Sequence, residues 1–206
     1  MAIVELVRKR IGNIPAGEPF TPKAFAGLGT RAAVDQTLSR LARSGAIERV
    51  ARGVYVRPEK TRFGPVPPSP SKVVGALARA TQASVQVHGA EAANKLGLST
   101  QVPARPVFWT SGPSRRFTMG KLEIELRHTS PRKLALAGRP AGLALAALWY
   151  LGREEVTPEV VGRIRQKLPE KEFRALQGAV SSMPAWMADA VYRQEHPEHE
   201  KGAARG

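Results

Sequence analysis

One stretch constrains the fold of this chain more than any other: residues Thr30 to Arg57, TRAAVDQTLSRLARSGAIERVARGVYVR, set a helix, a stop and a tight two-stranded ribbon in immediate succession. Val34, Leu38 and Leu41 share one helical face, and Ala32, Gln36, Ser39, Arg40 and Arg43 share the opposite one. A single helix with that spacing offers both a core stripe and a polar, basic surface. Thr30 is the expected N-cap and Gly45 the expected stop. After the stop, IERVA and VYVR read as short strands. Arg52-Gly53 joins them, because a glycine takes the positive φ that a tight hairpin turn needs. Arg49, Arg52 and Arg57 decorate this ribbon.

The residues before it complete the pattern. Ile3, Val4, Leu6, Val7 and Ile11 form a broad apolar stripe over residues 2 to 11, as in a helix packed on one side. Gly12 to Pro22 is rich in proline and glycine, and TPKAFAGLG then predicts a short helix capped by Thr21, with Pro22 at its first position and Gly27 or Gly29 at its end. Helix, helix, helix, strand, strand is the order of a winged helix-turn-helix, expected over residues 1 to 62. Gly27-Leu28-Gly29-Thr30-Arg31-Ala32 formally matches a dinucleotide-binding fingerprint. That motif needs a preceding strand, and a short helix is expected there instead.

From Pro58 to Pro70 the sequence PEKTRFGPVPPSP carries five prolines and reads as unable to hold a regular element, so a linker is expected at 63–70. Beyond it, residues 71–195 predict a mixed second domain. SKVVGALARA reads as a helix, SVQV as a strand, HGAEAANKLG as a helix ending at Gly97, and RPVFWTSG as a strand. RRFTM and LEIELRH form a hairpin turning at Gly120-Lys121, and AGLALAALWYLG, PEVVGRIRQKL, EKEFRALQGAV and PAWMADAVYRQ follow as helices. The last residues, 196–206, are expected to form a polar, frayed tail. The fold class is therefore α+β, a winged helix-turn-helix followed by a mixed α/β domain with terminal helices.

Charge narrows the partner. The 206 residues include 32 Lys and Arg against 17 Asp and Glu, a net charge of +15. Residues 1–62 hold 12 basic against 5 acidic residues and the remainder 20 against 12, so both halves are basic. A polyanion is the expected partner. With no cysteine, disulfides and thiolate metal sites are excluded, and a cytoplasmic setting is expected. No secretory signal is read at the N-terminus, and the longest apolar run, Ala141 to Leu151, is too short to span a bilayer, so no membrane association is expected.

Catalytic constellations are sparse. His88 near Glu91 is a poor metal site, and no other His or Asp pair has ligand spacing, so neither a metal nor a cofactor is expected. Glu123 and Glu125 share a face of a predicted strand, which would suit a metal-dependent nuclease, but Lys121 lies on the same face and can pair with them. No phosphate-loop or nucleophile-elbow signature occurs, and the chain is not expected to be an enzyme.

The interface expected from residue types is a DNA one. Thr30, Arg31 and Ala32 open the reading helix, and Gln36, Ser39, Arg40 and Arg43 continue its outer face. Gln can bond both edge groups of adenine and Arg both acceptors of guanine, whereas Arg49, Arg52 and Arg57 suit phosphates or an adjacent minor groove. LSRLARSGAIERVARGVYVRP, with its tail Arg52-Gly53-Val54-Tyr55 and then Pro58, resembles the winged-helix domain of AbiEi-type antitoxins. HGAEAANKLGLSTQVPARPVFWTSG and LEIELRHTSPRKLALAG resemble the C-terminal domain of the same group. The resemblance implies a sequence-specific repressor that binds operator DNA of its own operon and an antitoxin that counters a nucleotidyltransferase-like toxin. A regulator with no toxin, or a mobile-element accessory factor, is the alternative.

Overall fold

The computed structural model describes residues 3–62 and 64–193. It is an α+β protein that divides into two compact units, Met1–Ala83 with Arg116–Ile124, and Ser84–Arg115 with Glu125–Gly206.

The first unit begins with helix α1 (Ile3–Gly12), whose Val7 and Ile11 are buried. Strand β1 (Pro19–Phe20) and one 3-10 turn (Pro22–Phe25) follow, then helix α2 (Arg31–Arg43). The short helix expected to span TPKAFAGLG is only that turn, because Gly27 with φ 86 ends it after Phe25. Thr21 is buried and makes no side-chain capping bond.

Helix α2 forms as its sequence directs. Thr30 Oγ1 accepts the Ala33 amide at 3.3 Å. At the other end Gly45 has φ 73, its amide bonds Ala42 O, and the Ala46 amide reaches back to Leu41 O. These two bonds and a left-handed glycine make a Schellman stop.

Strands β2 (Glu48–Ala51) and β3 (Val54–Val56) then form the expected hairpin, with Gly53 at φ 74. The sheet order is β1-β3-β2, all antiparallel, with Phe20 opposite Tyr55 and Arg49 opposite Tyr55 on the two sides of β3. The register shifts between Arg49 and Ala51, a bulge in β2.

This small sheet is covered on both faces. Tyr55 lies in a core with Phe20, Phe25, Val34, Leu38, Leu41 and the buried residues of α1. Val54 and Val56 point the other way, as strand alternation requires, into a second core with Val50, Ala51 and Val73. Leu77, Phe117 and Met119 pack against that second core.

Val73 and Leu77 belong to helix α3 (Pro70–Thr81), so α3, expected in the second domain, packs with the first unit. The expected division at 63–70 is thereby displaced to Ala83. Nor is the proline-rich stretch irregular: strand β4 (Glu59–Thr61) pairs antiparallel with strand β5 (Gly64–Val66), Lys60 opposite Pro65. In a two-stranded ribbon alternate amides point away from the partner, and an edge position of that kind tolerates proline.

The second unit holds strand β6 (Val85–Val87), helix α4 (Gly89–Lys95) and strand β7 (Val107–Thr110). Strands β8 (Arg115–Met119) and β9 (Leu122–His128) turn at Gly120, and the hairpin's tip, Arg116–Ile124, is grouped with the first unit. The sheet order is β6-β7-β9-β8, with β6 antiparallel and β9 parallel to β7.

Helix α5 (Pro140–Glu155) is the centre of this unit, buried along Ala141, Gly142 and Ala144–Leu148 and kinked at Gly152. Gly89 at the start of α4 lets the two helices come close: a Cβ there would stand 2.6 Å from Ala146 O of α5. Helices α6 (Pro158–Lys167), α7 (Glu170–Gln177) and α8 (Ala185–Arg193) complete the bundle where the sequence predicts them. Glu172 of α7 accepts the Ala141 amide at 3.3 Å, capping α5 from outside, and Arg139 holds its carboxyl below the usual carboxylate range. Among the described residues no helix is long and apolar enough to cross a membrane. The expected tail, 196–206, lies outside the described residues.

Candidate nucleic-acid interface

The outer face of α2 carries the residues named from the sequence. Ala32, Gln36, Arg40 and Arg43 are exposed and Ser39 is half-buried, while Val34, Leu38 and Leu41 anchor the helix from beneath. Two of the expected residues are already engaged locally: the Thr30 hydroxyl serves the cap, and Arg31 Nε lies 2.8 Å from Asp35 in an exposed i,i+4 pair.

The ribbon divides its arginines. Arg49 and Arg52 are exposed. Arg57 is drawn inward, its guanidinium donating to Ile14 O at 2.8 Å and its Nε buried without a hydrogen-bond partner. It therefore fixes the chain after β3 to the segment after α1, and its guanidinium does not stand free on the ribbon for a phosphate as expected. A strand pattern cannot reveal this, because the partner is a backbone carbonyl far away in sequence.

Between the C-terminal half of α2 and β2 runs an open groove of about 640 Å³. Ser39 and Arg43 line it from α2, Glu48 and Arg49 from β2, Tyr55 from β3 and Pro58 from just beyond β3. Tyr55 is 7% exposed, and its ring is wedged against Phe20, centroids 6.3 Å apart. Sequence reasoning placed Ser39, Arg43 and Arg49 separately on a helix and a strand, and the fold gathers them. Glu48, Tyr55 and Pro58 were not candidates. The signal for two of them was present in the Arg-Gly-Val-Tyr tail and its following proline, which served only as a marker of resemblance.

The side chains of Arg40, Arg43, Arg49 and Arg52 have no hydrogen bond or ion pair among the described residues. The second unit is basic in a different sense, because its arginines are largely engaged. Arg127 bonds Glu125 at 2.7 Å, Arg132 donates to Met183 O at 2.7 Å, and Arg139 holds Glu172 through two nitrogens. Arg163 donates to Gly97 O, and Arg174 bonds Glu170.

The acidic pair weighed for nuclease chemistry is occupied in part by that Arg127 contact, with Glu125 buried and Glu123 half-buried. His88 Nδ1 accepts the Ala90 amide, and Glu91 pairs with Lys95 at 2.7 Å, so these two side chains do not converge on a common point. Among the described residues no three His, Asp or Glu side chains gather as metal ligands would.

Residues 6–176 match the DUF6088 family, described as a family of unknown function. The chain belongs to that family. No curated protein matches this DUF6088 member. Among solved structures it is similar to the crystal structure of the RV2827C protein from Mycobacterium tuberculosis, at 17% identity and a TM-score of 0.41, covering 92% of this chain and 80% of that one.

Proposed function

We propose that this DUF6088 protein is a sequence-specific DNA-binding transcriptional repressor that acts in the cytoplasm without catalysis, autoregulates a toxin–antitoxin operon and counters a nucleotidyltransferase-like toxin. The observation that carries the DNA part is the set of exposed, unpartnered arginines on α2 and the β2–β3 hairpin, Arg40, Arg43, Arg49 and Arg52. In a chain whose other arginines are mostly held by internal partners, four free guanidiniums beside an exposed Gln36 are the surface a polyanion would meet first. The order of α1, the 3-10 turn, α2, β2 and β3 supports a winged helix-turn-helix with α2 as the reading helix. The antitoxin part rests on the resemblance of both halves to AbiEi-type antitoxins.

The test is binding to duplex from the chain's own promoter and to random duplex of equal length across a salt series. Preference for the promoter duplex, and affinity that falls steeply with salt as displaced counterions require, is expected. Gln36→Ala and Arg40→Ala should weaken promoter binding by about 1–3 kcal/mol and random binding much less. Equal affinity for the two duplexes at physiological salt would remove the repressor reading. Failure of co-expressed protein to relieve growth inhibition by a neighbouring toxin would remove the antitoxin part alone.

A further inference from the structure

The groove beside α2 contains more than the DNA reading uses. Its lining includes Tyr55, a residue only 7% exposed whose hydroxyl makes no hydrogen bond among the described residues and is not one of the polar atoms buried away from solvent. A tyrosine with a buried ring and a hydroxyl that still reaches water has an apolar anchor and a free polar tip. The groove that Tyr55 lines is lined by Arg43 and Arg49 as well.

Three residues that carry donors thus line one concave space from three elements. The phenolic O–H comes from β3, one guanidinium from the last turn of α2 and one from β2. Ser39 adds a hydroxyl to the rim. The ring cannot turn away, since Phe20 stacks on it and Phe25 backs Phe20 edge-on at 5.5 Å.

We propose that this groove is a phosphate-binding site in which the Tyr55 hydroxyl and the Arg43 and Arg49 guanidiniums hold one phosphodiester of a DNA backbone. The site rests on the DNA reading above, and it gives the Tyr of the Arg-Gly-Val-Tyr tail a binding role in addition to its packing one. It also moves Arg43 from reading a base to positioning the duplex. Two charges oppose the anion, the Glu48 carboxylate in the same groove and the negative end of the α2 dipole. Two guanidiniums outweigh the single carboxylate. The carbonyls at the helix end are tied up by the amides of Gly45 and Ala46 and by the Ser44 hydroxyl, which donates to Leu41 O at 3.0 Å.

The decisive variant is Tyr55→Phe in the full chain, which keeps the ring and removes one donor. It should weaken promoter and random duplex alike by about tenfold, the cost of one hydrogen bond to a charged acceptor, and leave the salt slope unchanged because a neutral donor displaces no counterion. Arg43→Gln and Arg49→Gln should also weaken both duplexes alike, each lowering the slope by about one, and Glu48→Gln should tighten both. The three exposed-residue variants carry the test if Tyr55→Phe loosens the core. Wild-type affinity in a folded Tyr55→Phe, or loss of promoter preference in Arg43→Gln, overturns the site while the DNA reading stands. If the wild-type chain binds no duplex, the DNA reading falls, and a nuclear magnetic resonance titration with inorganic phosphate judges the groove by itself. Shifts at the Arg43 and Arg49 Nε–H that need about tenfold more phosphate in Tyr55→Phe support an anion site, and their absence in the wild-type chain overturns it.

Discussion

An arginine is defined less by its charge than by what already holds it. Arg49 and Arg57 flank the same hairpin and are equivalent in the sequence, yet one faces solvent and the other is bonded to Ile14 O. Histidine shows the same dependence on surroundings. His88 caps α4 through Nδ1 and lies 5.1 Å from the Trp109 ring and 6.1 Å from Tyr150. Burial, and then the nearby Arg127 and Lys133 charges, push its pKa below the ordinary histidine value, against a smaller opposite effect of Glu125. Because the folded state takes up the proton less readily than the unfolded chain, stability is complete above the unfolded value of 6.5 and falls as pH drops below it. Calorimetry at pH 7 and pH 5 should show a lower Tm at pH 5, and His88→Asn, which keeps a capping acceptor but cannot be protonated, should narrow that difference. An unchanged difference in His88→Asn would assign the acid sensitivity to other groups. None of this was visible in the sequence, where His88 was weighed only as a metal ligand beside Glu91.

At the scale of elements, the stop of α2 decides where β2 begins and hence where the groove opens. Gly45 sits at φ 73 with open space where a Cβ would go, so Gly45→Ala should act through backbone strain alone. A loss of about 1–2 kcal/mol, read as a lower urea midpoint at constant slope, is expected, and no loss would mean that the Schellman stop relaxes freely. Elements of this kind were legible because local chemistry dictates them. Val34, Leu38 and Leu41 announce α2, Thr30 and Gly45 bound it, and the helices after Pro140 are separated by prolines and glycines at the predicted joins. Elements that depend on a distant partner were not. Strand β1 is two residues long and exists only because β3 pairs with it, and the β4–β5 ribbon hides its pairing behind prolines that read as breakers. The groove was legible only as its separate pieces, since the register that puts Tyr55 between α2 and β2 is a tertiary fact.

Over the whole molecule, the sequence suggested a free-standing reading domain ending near Arg62, and the two-sided burial of β3 argues against one. Val54 and Val56 are 0% and 1% exposed, and their cover comes from Val73 and Leu77 of α3 and from Phe117 and Met119. Uncovering those two valines costs about 1.5–3 kcal/mol each, a large share of the roughly 5–15 kcal/mol that holds a typical domain together. A fragment of residues 1–62 should therefore lack a cooperative thermal transition and dispersed amide resonances, both of which the full chain should show; a well-folded fragment would mean that the second core is dispensable. The same cover bears on synthesis in the cell. The segment that completes the cover of β3 is separated from it in sequence by the whole of β4, β5, α3, β6, α4 and β7, so the unit at the front of the chain is unfinished when its own first strands leave the ribosome. The part of its second core that α3 does not cover stays open to chaperones, or to a neighbouring nascent chain, until Phe117 and Met119 have been made.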